Sequence, residues 1–313
     1  MPKLTVVTST YNRPQLLKRA MESVLNQTFT DFEYWIINNG STDNTDEIIK
    51  NYMKEDSRIK LITRQSNTLR PNKQQDEWVF PKGENIYYTG VDDDDYIHED
   101  MLKTLYNLAK DTGSDICTVG SKFVFPDGST KDKYVYEGQY ILNRIEAMFE
   151  FLKREKINTS AGGRMYKKEL LVNIDLPDLP VVRDIYREYR IFNRIKQATL
   201  TGQPMYYFYR HDGNLSGLNT KEQISRDRLA DHLRANSMRT QYLSEKMPEI
   251  KEYVLYSEYS FMISLASRVR ELGIEDCYDL ADHMVKCLQE GKTFLQECGY
   301  LTKRENQLLK ELL

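Results

Sequence analysis

The sequence predicts an α/β protein: a mostly parallel central sheet flanked by helices, in the Rossmann-like manner, with an α-helical C-terminal extension. Three observations carry this. Over the first 113 residues, short apolar runs of strand character alternate with segments of helical periodicity. A polar loop follows each of those runs. From about residue 218 the strand runs stop and helical periodicity continues to the end.

The elements follow in order. "LTVVTST" (4–10) is a short β-rich run suited to a buried parallel strand. "YNRP" breaks it, and "PQLLKRAMESVLNQT" then places Leu16, Leu17, Ala20, Met21, Val24 and Leu25 at helical spacing, with Pro14 in the first turn. "FEYWIINN" is a second strand, "GSTDNT" a turn rich in capping residues, and "DEIIKNYMKED" a second helix. "RIKLITR" is a third strand. An irregular stretch follows, "QSNTLRPNKQQDEWVFPKGE", before the strand "NIYYTGV" and the helix "HEDMLKTLYNLAKD".

From Ser114 the texture changes. "DICTVGSKFVF" and "TKDKYVYEG" read as two strands joined by a hairpin at "PDGS". The helix "RIEAMFEFLKRE", the polar loop "INTSAGG" leading into a short helix, the helix "DIYREYRIFNRIKQ" and the strand "PMYYFYR" follow. We place a boundary near residue 217. It separates a 1–217 domain, with halves 1–113 and 114–217, from a helical region 218–313, in which 248–272 and 275–290 are the clearest helices.

Composition narrows the function classes. A net charge of −3 and a pI near 6.0 advertise no basic face for nucleic acid. The four cysteines, Cys117, Cys277, Cys287 and Cys298, form no CxxC pair and fit no zinc spacing, so they read as reduced thiols of a cytoplasmic protein. Neither a signal peptide nor a membrane-spanning helix is predicted. Peripheral association with the inner face of a membrane is compatible with that.

In open α/β sheets, ligands bind beyond the carboxyl ends of the strands. "YNR", "NNGSTD", "TRQSN" and "DDDD" all fall there. Four adjacent carboxylates, Asp92 to Asp95, repel one another unless something positive neutralises them. In an extended strand end Asp92 and Asp94 share a face while Asp93 points elsewhere. Two carboxylates on one face, with open coordination positions, suit Mg²⁺ or Mn²⁺ held jointly with a phosphate ligand. Ser9, Tyr11 and Arg13 follow the first strand and Asn39 the second. A ring such as Tyr11 stacks on a base, and an amide such as Asn39 matches a base edge. Arg70 and Lys73, between the third and fourth strands, offer cations to a diphosphate. Together these residues fit a metal-bound nucleoside diphosphate.

The segment "TVVTSTYNRPQLLKRAMESVLNQTFTDFEYWIINNGSTDNTDEII" resembles the nucleotide-binding half of family 2 glycosyltransferases, and "YYTGVDDDDYIHEDML" resembles that family's DxD segment. The resemblance is specific over residues 3–110, weaker to about 217, and absent from the helical tail. It implies the GT-A fold, a nucleotide-sugar donor, a divalent metal and inversion at the anomeric carbon; a UDP-sugar is the expected donor. It places Ser9, Tyr11 and Asn39 at the base, Arg70 near a basic donor contact, and Asp92 and Asp94 on the DxD, with Arg13 and Asp93 beside them. His211, after "MYYFYR", is a further candidate for the metal or diphosphate. The sequence departs from the family pattern with "NNGS" for "DDGS", with "RPNKQ" for the usual "ARNxG", and in lacking an "ED" pair ahead of the helix that carries the general base. Two carboxylates stand in for that pair: Asp184, six before Arg190, and Glu188, six before Arg194. The spacing to "MYYFYR" favours Asp184.

The expected activity is therefore sugar transfer to a saccharide or lipid-linked saccharide acceptor in bacterial cell-surface glycan synthesis. The rival expectations are a non-catalytic sugar-nucleotide binder and a nucleotidyltransferase. The apolar C-terminal helices are expected to pack on the catalytic domain or on a second copy of the chain.

Overall fold

The computed structural model describes residues 3–67, 86–157, 159–174, 183–211, 214, 218 and 220–313. It divides into two compact units, one of residues 1–178 with 190–212 and the other of 179–189 with 213–313.

The first unit opens with the alternation that the sequence predicts. Strand β1 (Leu4–Thr10) leads to helix α1 (Pro14–Leu25), β2 (Phe32–Asn38), α2 (Thr45–Glu55) and β3 (Ile59–Thr63). After the segment that lies outside the described residues come β4 (Tyr87–Gly90), β5 (Tyr96–Ile97) and α3 (Met101–Thr112). β1 pairs in parallel with both β2 and β4, and β2 with β3, so β1 to β4 of the 1–113 half are parallel. β1 is central in that half and buried at every position but Ser9, as a parallel strand covered on both faces must be. α1 lays Leu17, Ala20, Met21 and Val24 on the core, and α3 adds Met101, Leu102, Leu105 and Ala109. Each such large apolar side chain contributes about 1.5–3 kcal/mol when fully buried.

The second half is mixed. β6 (Ile116–Val124) turns back through a tight hairpin into β7 (Thr130–Lys133), closed by Phe125 N–H on Ser129 O at 3.0 Å and Gly128 N–H on Phe125 O at 2.9 Å. β8 (Gln139–Asn143), α4 (Arg144–Lys153) and β9 (Arg164–Lys167) follow, and β10 (Gln197–Tyr209) ends the sheet; α5 (Arg183–Phe192), between β9 and β10 in the chain, belongs as far as Tyr189 to the second unit. The strand order is β3-β2-β1-β4-β9-β6-β10-β5, with β7 on β6 and β8 on β10. The sequence reading leaves residues 164–167 in a loop running into a helix. The structure instead makes them a strand inserted antiparallel between β4 and β6. Four residues that begin with a buried arginine, behind two glycines, carry no period long enough to read as a strand.

The second unit is helical. It contains α6 (Arg226–Lys246), α7 (Lys251–Glu271), α8 (Tyr278–Glu290), α9 (Lys292–Glu297) and α10 (Lys303–Leu312). Its core joins Leu229, Ile263, Val269, Met284, Leu288 and Leu309. α10 is opened by a capping box between Thr302 and Glu305. Among the described residues, no helix is long and apolar enough to cross a membrane.

Candidate active site

The strand ends of the parallel half converge on a chain of polar contacts. Asn39, just past β2, donates its amide to Ser9 Oγ at 2.8 Å and accepts from Arg64, just past β3, at 3.1 Å. Its own N–H bonds Thr10 O at 2.9 Å, so the side chain sits on a fixed backbone. One amide thus ties three consecutive strand ends together. Tyr11, 37% exposed, follows Thr10 in the chain and carries a ring of the kind that a base stacks on. Asn12 takes up a left-handed conformation (φ 51°) and binds the "ST" of "NNGST" through Ser41 and Thr42.

The acidic tetrad follows β4 and is a turn rather than an extended strand end: Asp95 N–H bonds Asp92 O at 3.1 Å. The alternation expected of a strand therefore does not set the directions of the four carboxylates. The turn gathers one oxygen each from Asp92, Asp94 and Asp95 within 4.8 Å of one another. Asp93 is not one of that group; it is buried and bonds the Arg13 guanidinium at 3.0 Å. The same guanidinium reaches Asp94 Oδ2 at 3.1 Å, and His211 Nε2 lies 3.2 Å from that oxygen. Arg19 donates to the Asp94 carbonyl at 2.6 Å, with its guanidinium stacked 3.9 Å from the Tyr209 ring.

Asp95 is the member of the cluster that the residue-by-residue reading passes over. It is buried, accepts the Tyr206 phenol at 2.9 Å and the Tyr209 N–H at 3.0 Å, and is anchored by both to β10. Burial, then the neighbouring Asp92 and Asp94 charges, raise its carboxyl well above the ordinary carboxylate range. Asp93 is raised too, chiefly by burial. Three carboxylate oxygens at this spacing could hold a hard divalent cation.

The paired glycines of "SAGG" serve this cluster at one remove. A Cβ on Gly162 would lie 2.8 Å from the Tyr206 ring, and Gly163 has a φ of 74° with its Cβ position 3.2 Å from Tyr206 Cβ. Only glycines let the loop pass close enough for Tyr206 to keep its phenol on Asp95.

The remaining predicted residues are placed as follows. Arg70 and Lys73 lie outside the described residues. Asp184 and Glu188 sit one turn apart on α5 and differ in environment. Glu188 is fully buried and pairs with Arg187 at 3.0 Å, whereas the Asp184 side chain is 52% exposed and stands 3.5 Å from the same guanidinium. Arg64, Tyr206 and Asp95 are the residues that sequence reasoning missed. Arg64 lies inside the strand-end loop "TRQSN", and Asp95 completes the tetrad, so both left a trace. Tyr206 left none, since its role rests on a contact 111 residues distant.

A protein-family model described as glycosyl transferase family 2 matches residues 5–175, and so more than half of the chain. The chain is similar to the GalNAc(5)-diNAcBac-PP-undecaprenol beta-1,3-glucosyltransferase of Campylobacter jejuni, with 27% identity over 208 residues covering 62% of this chain and 66% of that one. It is similar to the poly(ribitol-phosphate) beta-N-acetylglucosaminyltransferase TarP of Staphylococcus aureus, at 34% identity over 141 residues, 44% of this chain and 42% of TarP. Its fold matches that of S. aureus TarS (residues 1–349) solved with UDP-GlcNAc, with a TM-score of 0.61, 18% identity, and coverage of 90% of this chain and 87% of that one.

Proposed function

The chain belongs to glycosyl transferase family 2, and from that premise we propose that it moves a sugar from a UDP-sugar to an acceptor hydroxyl with inversion. The observation that carries this is the juxtaposition, within the span matched by the family model, of the Ser9–Asn39–Arg64 chain and the Asp92–Asp94–Asp95 cluster. The first offers a nucleoside its polar partners beside the Tyr11 ring. The second offers three carboxylate oxygens to Mn²⁺ or Mg²⁺, with His211 against Asp94.

A divalent cation bound there would offset the negative charge that develops on the departing diphosphate. The chain's own residues do the rest. Asn39, held between Ser9 and Arg64, orients the base, and Arg13 keeps Asp93 and Asp94 in place. Arg70 and Lys73 are assigned to the diphosphate. Asp184 is assigned as the general base that takes the proton of the acceptor hydroxyl. Its half-exposed carboxylate supports that choice over Glu188, whose burial against Arg187 suits a structural ion pair.

The acceptor is a saccharide or a lipid-linked saccharide of a bacterial surface glycan. The supporting observation is that relatives are named for undecaprenol-linked and poly(ribitol-phosphate) substrates. A lipid-linked acceptor places the reaction at the inner face of the membrane, and the C-terminal helices are available for pairing of two chains.

A thermal-shift panel of UDP-, GDP- and TDP-sugars, each with and without Mn²⁺, tests the reading, because a ligand that binds the native state raises Tm. A UDP-sugar that stabilises only when Mn²⁺ is present is the expected result. A shift from no nucleotide sugar would defeat it.

A further inference from the structure

The β7 hairpin carries a cation that the reading above does not use. Lys133 of β7 is registered with Ser121 of β6, and Ser121 with Tyr206 of β10; two residues along each strand, Lys131, Phe123 and Phe208 form the next row on that face. Residues in register, and those two apart, share a face of a sheet. Lys133 therefore stands on the face from which Tyr206 reaches Asp95. Its ammonium lies 4.6 Å from the Phe123 ring centre, 4.6 Å from that of Phe208 and 5.2 Å from that of Tyr134. The Arg210 guanidinium lies 4.1 Å from the same Phe123 ring. Two cations are thus gathered on one aromatic ring, and among the described residues Lys133 has no carboxylate within ion-pair distance. Burial, with the like charge of Arg210, pushes the ammonium down to about 8, while Asp95 acts in the opposite sense.

The backbone holds Lys133 there. The chain leaving β7 takes a left-handed turn at Tyr134 (φ 58°) and presses on two glycines, one in each of the strands beneath. A Cβ on Gly120 would lie 2.8 Å from Tyr134 O, and one on Gly202 would lie 2.1 Å from Tyr136 O. A side chain at either position would lift the segment and withdraw the ammonium from its rings.

We propose that Lys133 is a donor-binding residue whose ammonium binds the diphosphate of the nucleotide sugar, on the Tyr206 side of the acidic turn. This rests on the nucleotide-sugar reading above. A bare anion would be repelled by Asp92, Asp94 and Asp95, whereas a diphosphate arrives with a cation for those carboxylates and leaves oxygens for a second positive group. The repulsion between Lys133 and Arg210 is relieved by the same anion.

The test is calorimetric titration of the full chain with UDP and with uridine in the presence of Mn²⁺, using wild type, K133M, K133R and, as a control, K131M. Methionine keeps the apolar stem among the rings and removes only the charge; K133Q replaces it if its melting curve shows a loss of fold. The expected result is UDP affinity at least about tenfold weaker in K133M, uridine affinity unchanged, partial recovery in K133R and no change in K131M. UDP affinity within twofold of wild type in K133M overturns the assignment of Lys133 while leaving the nucleotide-sugar reading intact. Equal losses for uridine and UDP overturn it as well. A wild-type chain that binds no nucleoside diphosphate removes both.

Discussion

The Tyr206 phenol donates to Asp95 Oδ2 at 2.9 Å while its oxygen accepts the Asp92 N–H at 3.2 Å. One fully buried hydroxyl therefore braces both ends of the acidic turn. Tyr206→Phe keeps the ring against Gly162 and removes that brace. A buried carboxylate that loses a partner costs about 1–3 kcal/mol. The expected outcome is a lower Tm together with weaker Mn²⁺-dependent UDP binding. An unchanged melting curve and unchanged binding would show that the turn is held by its own backbone.

Asp94 is the carboxylate on which Arg13 and His211 converge. Asp94→Asn is expected to fold and to lose the Mn²⁺-dependent part of donor binding, so that the variant with Mn²⁺ behaves as wild type in EDTA. Fluorescence titration with a UDP-sugar in the two conditions reads this. If EDTA and the substitution both leave affinity untouched, the acidic turn holds no cation.

The two carboxylates of α5 separate by what each variant damages. Asp184→Asn is expected to slow transfer by at least about a hundredfold, with Tm and donor affinity unaltered. Glu188→Gln is expected to lower Tm, because Arg187 loses a buried partner at 3.0 Å. Steady-state rates beside melting curves decide it. The reverse pattern would move the base to Glu188, and normal transfer by both would remove the mechanism.

Asp115, at the start of β6, gives a pH signature unconnected with catalysis. Burial works to raise its carboxyl, but the Lys167 ammonium at 2.7 Å and the N–H groups of Lys196 and Gln197 outweigh it and hold it below the ordinary range. A depressed carboxyl contributes stability that is present above its unfolded pKa, about 3.9, and is lost as pH falls through the folded value. Asp115→Asn should lower Tm at pH 7 and converge with wild type in acid. Melting curves that run parallel from pH 7 to pH 3 would show that the pair contributes nothing.

Much of the 1–113 half was legible in the residues themselves. "LTVVTST" and "FEYWIINN" carry their burial in composition, and α1 carries its own in the 3.6-residue period from Leu17 to Val24. Local patterns of that kind depend on neighbours a few positions away, which a single sequence displays. The acidic tetrad was visible for the same reason: four like charges in a row announce themselves without any fold.

The tertiary structure alone decided the relationships between distant segments. β9 enters the sheet antiparallel between β4 and β6, although four residues behind two glycines carry no readable period. Tyr206 meets Asp95 across 111 residues, and Lys133 meets Phe208 through two strand registers. A strand's pairing partner is chosen by packing and hydrogen bonding summed over the whole sheet. The tetrad announced that something positive must sit near it; which of the chain's residues brace it, and from which face, exists only once the sheet has closed around it.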